Sequence, residues 1–239
     1  SEMCIRDRYL TYTNEGMPIG AFWGYKTDGL IQTQEQLNAV KRADFQPNAE
    51  LGDVLFVDTN GDGKLDSSDR CMIGNPIPDI IYGINMGMAW KGFDLNLQFG
   101  GTIGNQIFNA MRYYTYFPND ITNKDRALMN YWTPNNTNTD IPRLTATDVN
   151  DNDRFSDMYV ENGTYFRLRN AQLGYTLPAS LTQRIKLQKV RFYVSGQNLF
   201  TISSYSGMDP EVGQSSSLSR GIDYGIYPQN ISFTGGINA

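Results

Sequence analysis

The chain has 239 residues, with 20 basic and 25 acidic side chains and no histidine. The acidic excess is not that of a nucleic-acid-binding protein, because phosphate recognition depends on basic surfaces. Without histidine the chain has no His-containing catalytic triad and no His-ligated zinc, and its two cysteines cannot form a disulfide framework. The abundant tyrosine and glycine, 15 and 23 residues, fit either an outer-membrane β-barrel or a secreted β-sandwich.

The two ends of the chain lack the features of natural termini. Residues 1–8, SEMCIRDR, do not have the charged-then-apolar order of a signal peptide and resemble translated adapter sequence. We therefore predict a non-native leader at 1–8 and a single structural region at 9–239. The final ISFTGGINA stops within an alternating pattern, so we expect the natural protein to extend beyond both ends.

Alternation of apolar and polar residues with a period of two is the main structural signal, and it predicts β-strands. The clearest run is FDLNLQFGG, in which apolar side chains alternate with polar or small ones. Lys91 and Gly92 precede this run and predict a tight hairpin turn. The same criterion predicts strands near 80–90, 93–106, 164–177, 190–203 and 230–239.

Long and short connections alternate between the predicted strands. The segments 15–79, 109–163 and 204–229 are long and polar, whereas the connections at 91–92 and 178–189 are short. Outer-membrane barrels have long loops at one rim and short turns at the other. Nothing in a soluble sandwich requires long loops at one end and short turns at the other, so the alternating lengths of the connections favour a barrel.

Strand length and aromatic placement agree with this interpretation. A tilted strand needs about 9–11 residues to cross a bilayer, and several predicted strands are that long. Aromatic pairs near the strand ends, Trp90 with Phe93 and Tyr113 with Tyr114, predict interfacial girdles. The predicted fold class is therefore all-β, an antiparallel transmembrane β-barrel segment with long extracellular loops.

One loop has the residue pattern of a calcium site. Calcium takes six to eight hard oxygen ligands, and Gly63 permits the sharp turn that lets them converge. The twelfth position of the pattern is Asp rather than Glu, and the flanking residues do not predict the helices of an EF-hand. The alternative is a turn-forming loop that binds nothing. The predicted ligands of a structural Ca²⁺ within DTNGDGKLDSSD are Asp58, Asn60, Asp62, the backbone carbonyl of Lys64, Asp66 and Asp69.

Six segments, in order, resemble the SusC/RagA family of TonB-linked outer-membrane transporters of Bacteroidetes. They cover nearly all of the chain from about residue 15 to 238, and the SGQNLFT and GIDYG-YPQ blocks are the most specific. The segments are GMPIGAFWGYKTDGLIQ (16–32), GDVLFVDTNGDGKLDSSDRCMIGNPIPDIIYGIN (52–85), WKGFDLNLQFGGTIGNQIFN (90–109), NGTYFRLRNAQLGYTLP (162–178), VRFYVSGQNLFTISSYSGMDPEV (190–212) and GIDYGIYPQ (221–229).

The resemblance implies the last five or six strands of a plugged 22-stranded barrel in the outer membrane of a Gram-negative bacterium. It implies import of oligosaccharides or other large nutrients, peptides in some members, with energy from TonB acting through an N-terminal part outside this chain. A SusD-like surface lipoprotein would cover the extracellular loops, among them the 15–79 loop with its calcium-like motif. We expect no enzymatic activity, no organic cofactor and no nucleic-acid partner.

Two groups of side chains are candidate substrate contacts. Polar residues of the 93–101 run, Asp94, Asn96 and Gln98, would line the passage through a barrel. Aromatic residues of the loops could instead stack on sugar rings, although packing within the loops is the alternative for each. These aromatic candidates are Trp23, Tyr113, Tyr116 and Trp132.

Two other functions are compatible with parts of the sequence. A calcium-stabilised extracellular β-module for adhesion or glycan binding would have a closed apolar core and would fold without detergent. A carboxylate-based glycosidase would need two carboxylates converging in a cleft, and no pair stands out in the sequence.

Overall fold

The computed structural model describes residues 10–116, 123–185, 187–213 and 217–239, so the predicted leader at 1–8 lies outside the described residues. The chain folds as two compact units, each assembled from segments that are distant in sequence. Unit 1 comprises Ser1–Ile77, Gln106–Glu161 and Val212–Gly225. Unit 2 comprises Pro78–Asn105, Asn162–Glu211 and Ile226–Ala239.

Strands dominate the described residues. In chain order they are β1 (Thr11–Tyr12), β2 (Ala21–Gly24), β3 (Thr27–Leu30), β4 (Val54–Phe56), β5 (Cys71–Gly74), β6 (Ile80–Trp90), β7 (Phe93–Ile103), β8 (Gln106–Asn109), β9 (Val160–Asn162), β10 (Tyr165–Thr176), β11 (Arg191–Ser203), β12 (Ile222–Asp223) and β13 (Ser232–Asn238). The α-helices are α1 (Gln34–Arg42), α2 (Ala110–Tyr116) and α3 (Ala179–Thr182), and short 3₁₀ helices lie at Ser67–Asp69, Arg126–Asn130, Asp157–Tyr159, Gln183–Ile185 and Ser217–Ser219. Within the described ranges no helix has the length and apolar content needed to cross a membrane.

Unit 2 is built on one antiparallel sheet with the strand order β13-β11-β10-β7-β6. Its four longest strands have 11 to 13 residues, twice the usual length in globular proteins. The β6–β7 hairpin turns at Lys91 and Gly92, where the sequence predicts it, and Trp90 pairs with Phe93 across it. Both turn residues have positive φ, 46° and 89°, as a two-residue hairpin turn that follows the strand twist requires.

The two faces of this sheet differ in character. One face, here called the apolar face, carries large side chains that are mostly exposed in the chain by itself. Opposite it, the polar face carries amides, hydroxyls and glycines from the alternate positions. The apolar face includes Met86, Met88, Trp90, Leu95, Leu173, Phe192, Val194, Phe233 and Ile237.

Strand β7 ends three residues before the predicted boundary at 106. Gly104, with φ of 91°, breaks the extended backbone, and the chain resumes as β8 in unit 1. A Cβ atom on Gly104 would lie 2.1 Å from a carboxylate oxygen of Asp79, whose backbone N–H donates to the carbonyl of Ile103. The close approach of these two segments fixes the strand end at a position that alternation alone does not mark.

Unit 1 contains residues 15–77 of the segment 15–79, which the sequence predicts as a long loop. In the structure this segment forms β2 to β5 and helix α1 rather than an irregular loop. Helix α1 begins at a capping box, in which Thr33 accepts from the Gln36 amide and the Gln36 side chain accepts from the Thr33 amide. Leu37 anchors the helix in a small core with Ile31 and Ala49.

An aromatic core holds a second part of unit 1 together. The Phe108 ring lies 5.8 to 6.1 Å from the rings of Phe22, Phe155 and Tyr159. Tyr113 packs against the same core from α2, with its ring 5.1 Å from Phe155. Tyr113 and Tyr114 therefore lie beside the core of unit 1, and the girdle prediction for this pair is wrong, because residues 110–116 are helical rather than the end of a strand.

Candidate functional site

The polar face of the five-stranded sheet brings the predicted passage residues together with partners from four other strands. Gln98 on β7 lies opposite Asn85 of β6 and Asn170 of β10. The row continues to Gln197 of β11 and Ser232 of β13, whose hydroxyl donates to the Gln197 carbonyl oxygen at 3.3 Å. The result is a row of four side-chain amides and one hydroxyl that crosses all five strands.

A second row of neutral polar groups runs beside the first. Asn96 of β7 faces Gly87 on one side and Gln172 of β10 on the other. The register then brings Ser195 of β11 opposite Gln172 and Thr234 of β13 opposite Ser195. Asn96 and Gln98 are exposed, so both rows can exchange hydrogen bonds with a polar solute.

The charge of Asp94 is neutralised within the sheet. Arg191 at the start of β11 donates from Nε to Asp94 Oδ1 at 2.9 Å, and its Nη2 donates to the second carboxylate oxygen, a bidentate geometry. Gly174 of β10 lies between the two, and a Cβ atom there would be 2.4 Å from Arg191 Nη2. The glycine leaves the space in which the arginine crosses β10, and the same Nη2 reaches the side-chain oxygen of Gln172 at 3.3 Å, beside Asn96.

A buried ion pair closes the base of the long connection at 204–229. Arg167 of β10 and Asp209 are 2% and 4% exposed, and their charged groups meet at 2.6 Å. Arg167 also donates to Glu211 at 2.9 Å and to the Thr201 hydroxyl at 2.8 Å. The second Asp209 oxygen accepts from the backbone amide of Gln229 at 3.0 Å, so one carboxylate joins the two ends of the connection to the sheet.

Burial of Asp209 is compensated by the groups that surround it. Burial raises the pKa of this carboxyl, but the amides of Gln229 and Glu211 together with Arg167 outweigh it, and the pKa lies below the ordinary value of 3.8. Because the folded pKa is lowered, the stabilisation is complete above the unfolded pKa and is lost as pH falls through the folded value.

We therefore expect the denaturation midpoint to fall with pH below about 4 in the wild type, and Asp209→Asn to remove part of that slope. Urea titrations between pH 2 and pH 6 in detergent micelles measure it. Asp28→Asn, which changes an exposed carboxylate in unit 1, is the matched control. An unchanged slope in Asp209→Asn would contradict the assigned role of this carboxylate.

The calcium-like loop is ordered by hydrogen bonds between its own groups. The two carboxylate oxygens of Asp58 accept from the amides of Gly61 and Gly63 at 2.6 and 2.8 Å. Gly63 adopts a positive φ of 77°, the sharp turn expected at this position. The Gly63 amide, foremost, holds the pKa of Asp58 below its ordinary value and keeps the carboxylate charged.

Asp69, the last predicted ligand of this loop, already accepts hydrogen bonds from the backbone with both of its oxygens. Asp69 is fully buried, and its two oxygens accept from the amides of Thr59 and Asp66 at 3.0 Å each. Asn60 and Asp62 are joined to each other at 3.1 Å, and the Asp62 carboxylate also accepts from the Lys64 amide. Across the part of the chain that the structure describes, no three His, Cys, Asp or Glu side chains are grouped to hold a metal ion.

The structure separates the four aromatic candidates by exposure. Trp132 is 6% exposed, its ring covers Gly52, and its Nε1 donates to the Gln32 side chain at 2.9 Å. Tyr113 is packed beside the Phe108 core, and Tyr116 lies under the Arg112 guanidinium at 5.0 Å.

Trp23 differs from the other candidates because it belongs to an aromatic pair at the surface. Its ring lies 4.9 Å from that of Tyr12, which is 42% exposed. Alternation along β2 places Trp23 on the face opposite the buried Phe22, which accounts for its partial exposure. Tyr12 is not among the predicted contacts, although its position in an alternating run is the signal in the sequence that could have identified it.

Comparison with known proteins shows which proteins this chain resembles in sequence. No family model matches the chain. It is 39% identical over 234 residues to TonB-dependent receptor P3 of Formosa agariphila. The aligned region covers 94% of this chain and 22% of that protein. It is 29% identical over 195 residues to TonB-dependent receptor SusC of Bacteroides thetaiotaomicron, covering 81% of this chain and 18% of SusC. The relatives that the chain matches over nearly its whole length are TonB-dependent receptors, SusC among them.

Solved structures share the fold of this chain. The structure of the RagAB peptide transporter superposes with a TM-score of 0.68 at 23% identity, over 95% of this chain and 24% of that chain. The prediction of an antiparallel barrel segment is confirmed, because the chain matches the C-terminal barrel portion of RagA-like receptors. The chain spans about a fifth of the length of the curated relatives that it matches.

Proposed function

We propose that this chain forms part of the barrel wall of a TonB-dependent importer in the outer membrane. The observation that carries the proposal is the five-stranded sheet, in which long strands combine an exposed apolar face with a polar one. Soluble monomers rarely expose a continuous apolar surface of this extent, whereas lipid covers it without cost. The edge strands β6 and β13 would pair with further strands of the receptor, since open edges are not tolerated in lipid.

The polar face then lines the interior of the barrel and contacts the cargo. Side-chain amides and hydroxyls offer both donors and acceptors, which suits the hydroxyl groups of an oligosaccharide or the amide groups of a peptide. RagAB is described as a peptide transporter, and its fold is shared by this chain. We propose oligosaccharides or peptides as the imported nutrients, with TonB as the energy source and a SusD-like lipoprotein as the extracellular partner.

Single cysteines on the two faces, introduced into a receptor whose native cysteines, Cys71 among them, are replaced by serine, test the placement of the sheet. In the receptor reconstituted in proteoliposomes, Met88→Cys on the apolar face is expected to react with a bilayer-soluble maleimide. Asn96→Cys on the polar face is expected to react with a membrane-impermeant, charged maleimide. Met88 is paired with Leu95, next to Asn96, so the two positions are matched in depth.

The alternative, a calcium-stabilised soluble module, makes the opposite prediction for the same two cysteines. In that case both cysteines would react with the charged reagent in the absence of lipid, and the protein would remain folded without detergent. Equal labelling of Met88→Cys by both reagents in proteoliposomes would therefore refute the barrel placement.

We also propose Ca²⁺ as a structural ligand of the 58–69 loop, supported by its sequence pattern and by the positive φ of Gly63. Asp58, Asn60, Asp62, the Lys64 carbonyl and Asp66 would hold it, with Asp69 already shared by two amides. Terbium luminescence should then rise with a dissociation constant of about 0.1–1 mM, as in extracellular modules. Asp62→Asn should weaken this binding, whereas Asp28→Asn should not, and an unsaturable signal would exclude the site.

A further inference from the structure

A groove interrupts the apolar face of the five-stranded sheet in unit 2. Its volume is about 360 Å³, and its lining side chains come from β7, β10, β11 and β13. Val194 and Phe233 on its sides are 60% and 79% exposed. The lining is almost wholly apolar and includes Leu95, Ala171, Leu173, Val194, Gly196 and Phe233.

Ala171 and the side chain of Leu199, which lies over Gly196, form the floor of this groove. Ala171 and Gly196 are paired across β10 and β11, and the next position in the row is Phe233. The neighbouring row consists of Leu95, Leu173 and Val194, whose larger side chains stand above the floor. A channel bounded by branched side chains fits a hydrocarbon chain better than a flat apolar surface does, because more atoms are in contact.

Charge is unevenly distributed along the same sheet. We define the short-turn end as the end that carries segments 90–93 and 177–190, which contain four basic residues and no acidic one. Lys91, Arg184 and Lys189 are exposed there, and among the described residues none of them belongs to an ion pair. The acidic residue nearest in these strands, Asp94, is already paired with Arg191.

The groove begins within the depth of one leaflet from this basic end. Leu95 follows Lys91 by four residues, about 13 Å along a strand at about 3.3 Å per residue. With a strand tilt of about 40°, this is roughly 10 Å of depth. The hydrocarbon of one leaflet is about 15 Å deep, half of a core of about 30 Å.

We propose that the groove and the short-turn end together bind one anionic phospholipid. An acyl chain occupies the groove, and the phosphate-bearing headgroup lies among Lys91, Arg184 and Lys189. The excess positive charge selects an anionic headgroup over a zwitterionic one, since each basic residue near the surface favours anionic lipid about fivefold. The inference rests on the proposed membrane placement of this sheet and adds a specific lipid to it.

Lipid retention by the intact receptor tests the inference. The receptor is reconstituted in nanodiscs with equal amounts of phosphatidylglycerol and phosphatidylcholine of identical acyl chains, then transferred to mild detergent for native mass spectrometry. We expect one retained lipid, with phosphatidylglycerol enriched at least about fivefold. Equal retention of the two lipids by an inserted receptor would overturn the inference while leaving the barrel placement intact. Failure of the receptor to enter nanodiscs would overturn both.

Two variants separate the headgroup from the acyl chain. Lys91→Gln, Arg184→Gln and Lys189→Gln combined should abolish the enrichment. The matched triple Lys26→Gln, Lys41→Gln and Arg42→Gln, on exposed residues of unit 1, should keep it. If the first triple kept the enrichment, the basic end would have no part in binding.

Filling the groove tests the other half of the site. Ala171→Leu should reduce the retention of phosphatidylglycerol by at least fivefold, because its side chain occupies the groove floor. Ile84→Leu conserves volume on the same apolar face outside the groove and should leave retention unchanged. Undiminished retention in Ala171→Leu would show that the groove does not hold the acyl chain.

Discussion

Replacing Arg167 with alanine is expected to destabilise the base of the 204–229 connection by about 3–5 kcal/mol. The substitution leaves Asp209 buried without its charged partner, and the cost of an uncompensated buried charge exceeds that of losing a surface ion pair. The amides of Glu211 and Gln229 both donate to this carboxylate. Their hydrogen-exchange protection in detergent should fall by about 150- to 5,000-fold, the equivalent of 3–5 kcal/mol, which measures the effect locally.

Arg169→Ala is the matched control for this prediction. Arg169 is on the same strand and also pairs with Glu211, at 3.1 Å, but both side chains are more than a third exposed. A pair of that kind contributes about 1 kcal/mol or less, so the protection of the Gln229 amide should change little. If the two alanine variants had equal effects, the buried pair would not be what fixes the connection.

Arg167→Met combined with Asp209→Leu distinguishes the charge from the packing. Replacing both members of a buried pair by apolar residues is often neutral in stability. The double variant should therefore be more stable than Arg167→Ala. It would still lose the bond from Gln229, so the connection should remain less protected than in the wild type.

The hairpin of β6 and β7 shows what local sequence determines. Alternation predicts both strands, and Lys91 with Gly92 predicts the turn, because each of these signals acts between residues that are close in the chain. The end of β7 is set instead by Asp79 approaching Gly104, a contact across 25 residues. A boundary of that kind has no periodic signal, so alternation extended the strand to 106.

The folded nature of the 15–79 segment could not be predicted for a similar reason. The buried Asp53 accepts from Arg143 and Asn152, which are 90 and 99 residues away. In the sequence alone, polar residues whose hydrogen-bond partners lie far along the chain cannot be told from solvated loop residues. The same applies to the site, since Asn96 and Gln98 could be identified from alternation, whereas Arg191 and Asp209 acquire their roles through strand register and loop closure.

Replacing Trp132 with alanine is expected to lower the free energy of unfolding of unit 1 by about 3–5 kcal/mol. The ring is 6% exposed and packs in the core that contains Tyr25, Val54 and Phe56. Its removal leaves a cavity beside Gly52 and deprives the Gln32 side chain of its bond from Nε1. Equilibrium denaturation, followed by near-ultraviolet circular dichroism, measures the loss.

Trp23→Ala is the control that separates packing from a role in binding. Trp23 is partly exposed beside Tyr12, so its removal should cost about 1–2 kcal/mol, less than the loss at Trp132. If aromatic stacking on sugar rings involves this chain, the affinity for an oligosaccharide should fall in Trp23→Ala and stay unchanged in Trp132→Ala under conditions where both are folded. A loss of affinity confined to Trp132→Ala would reverse this assignment, because a buried ring cannot stack on a ligand unless its core opens.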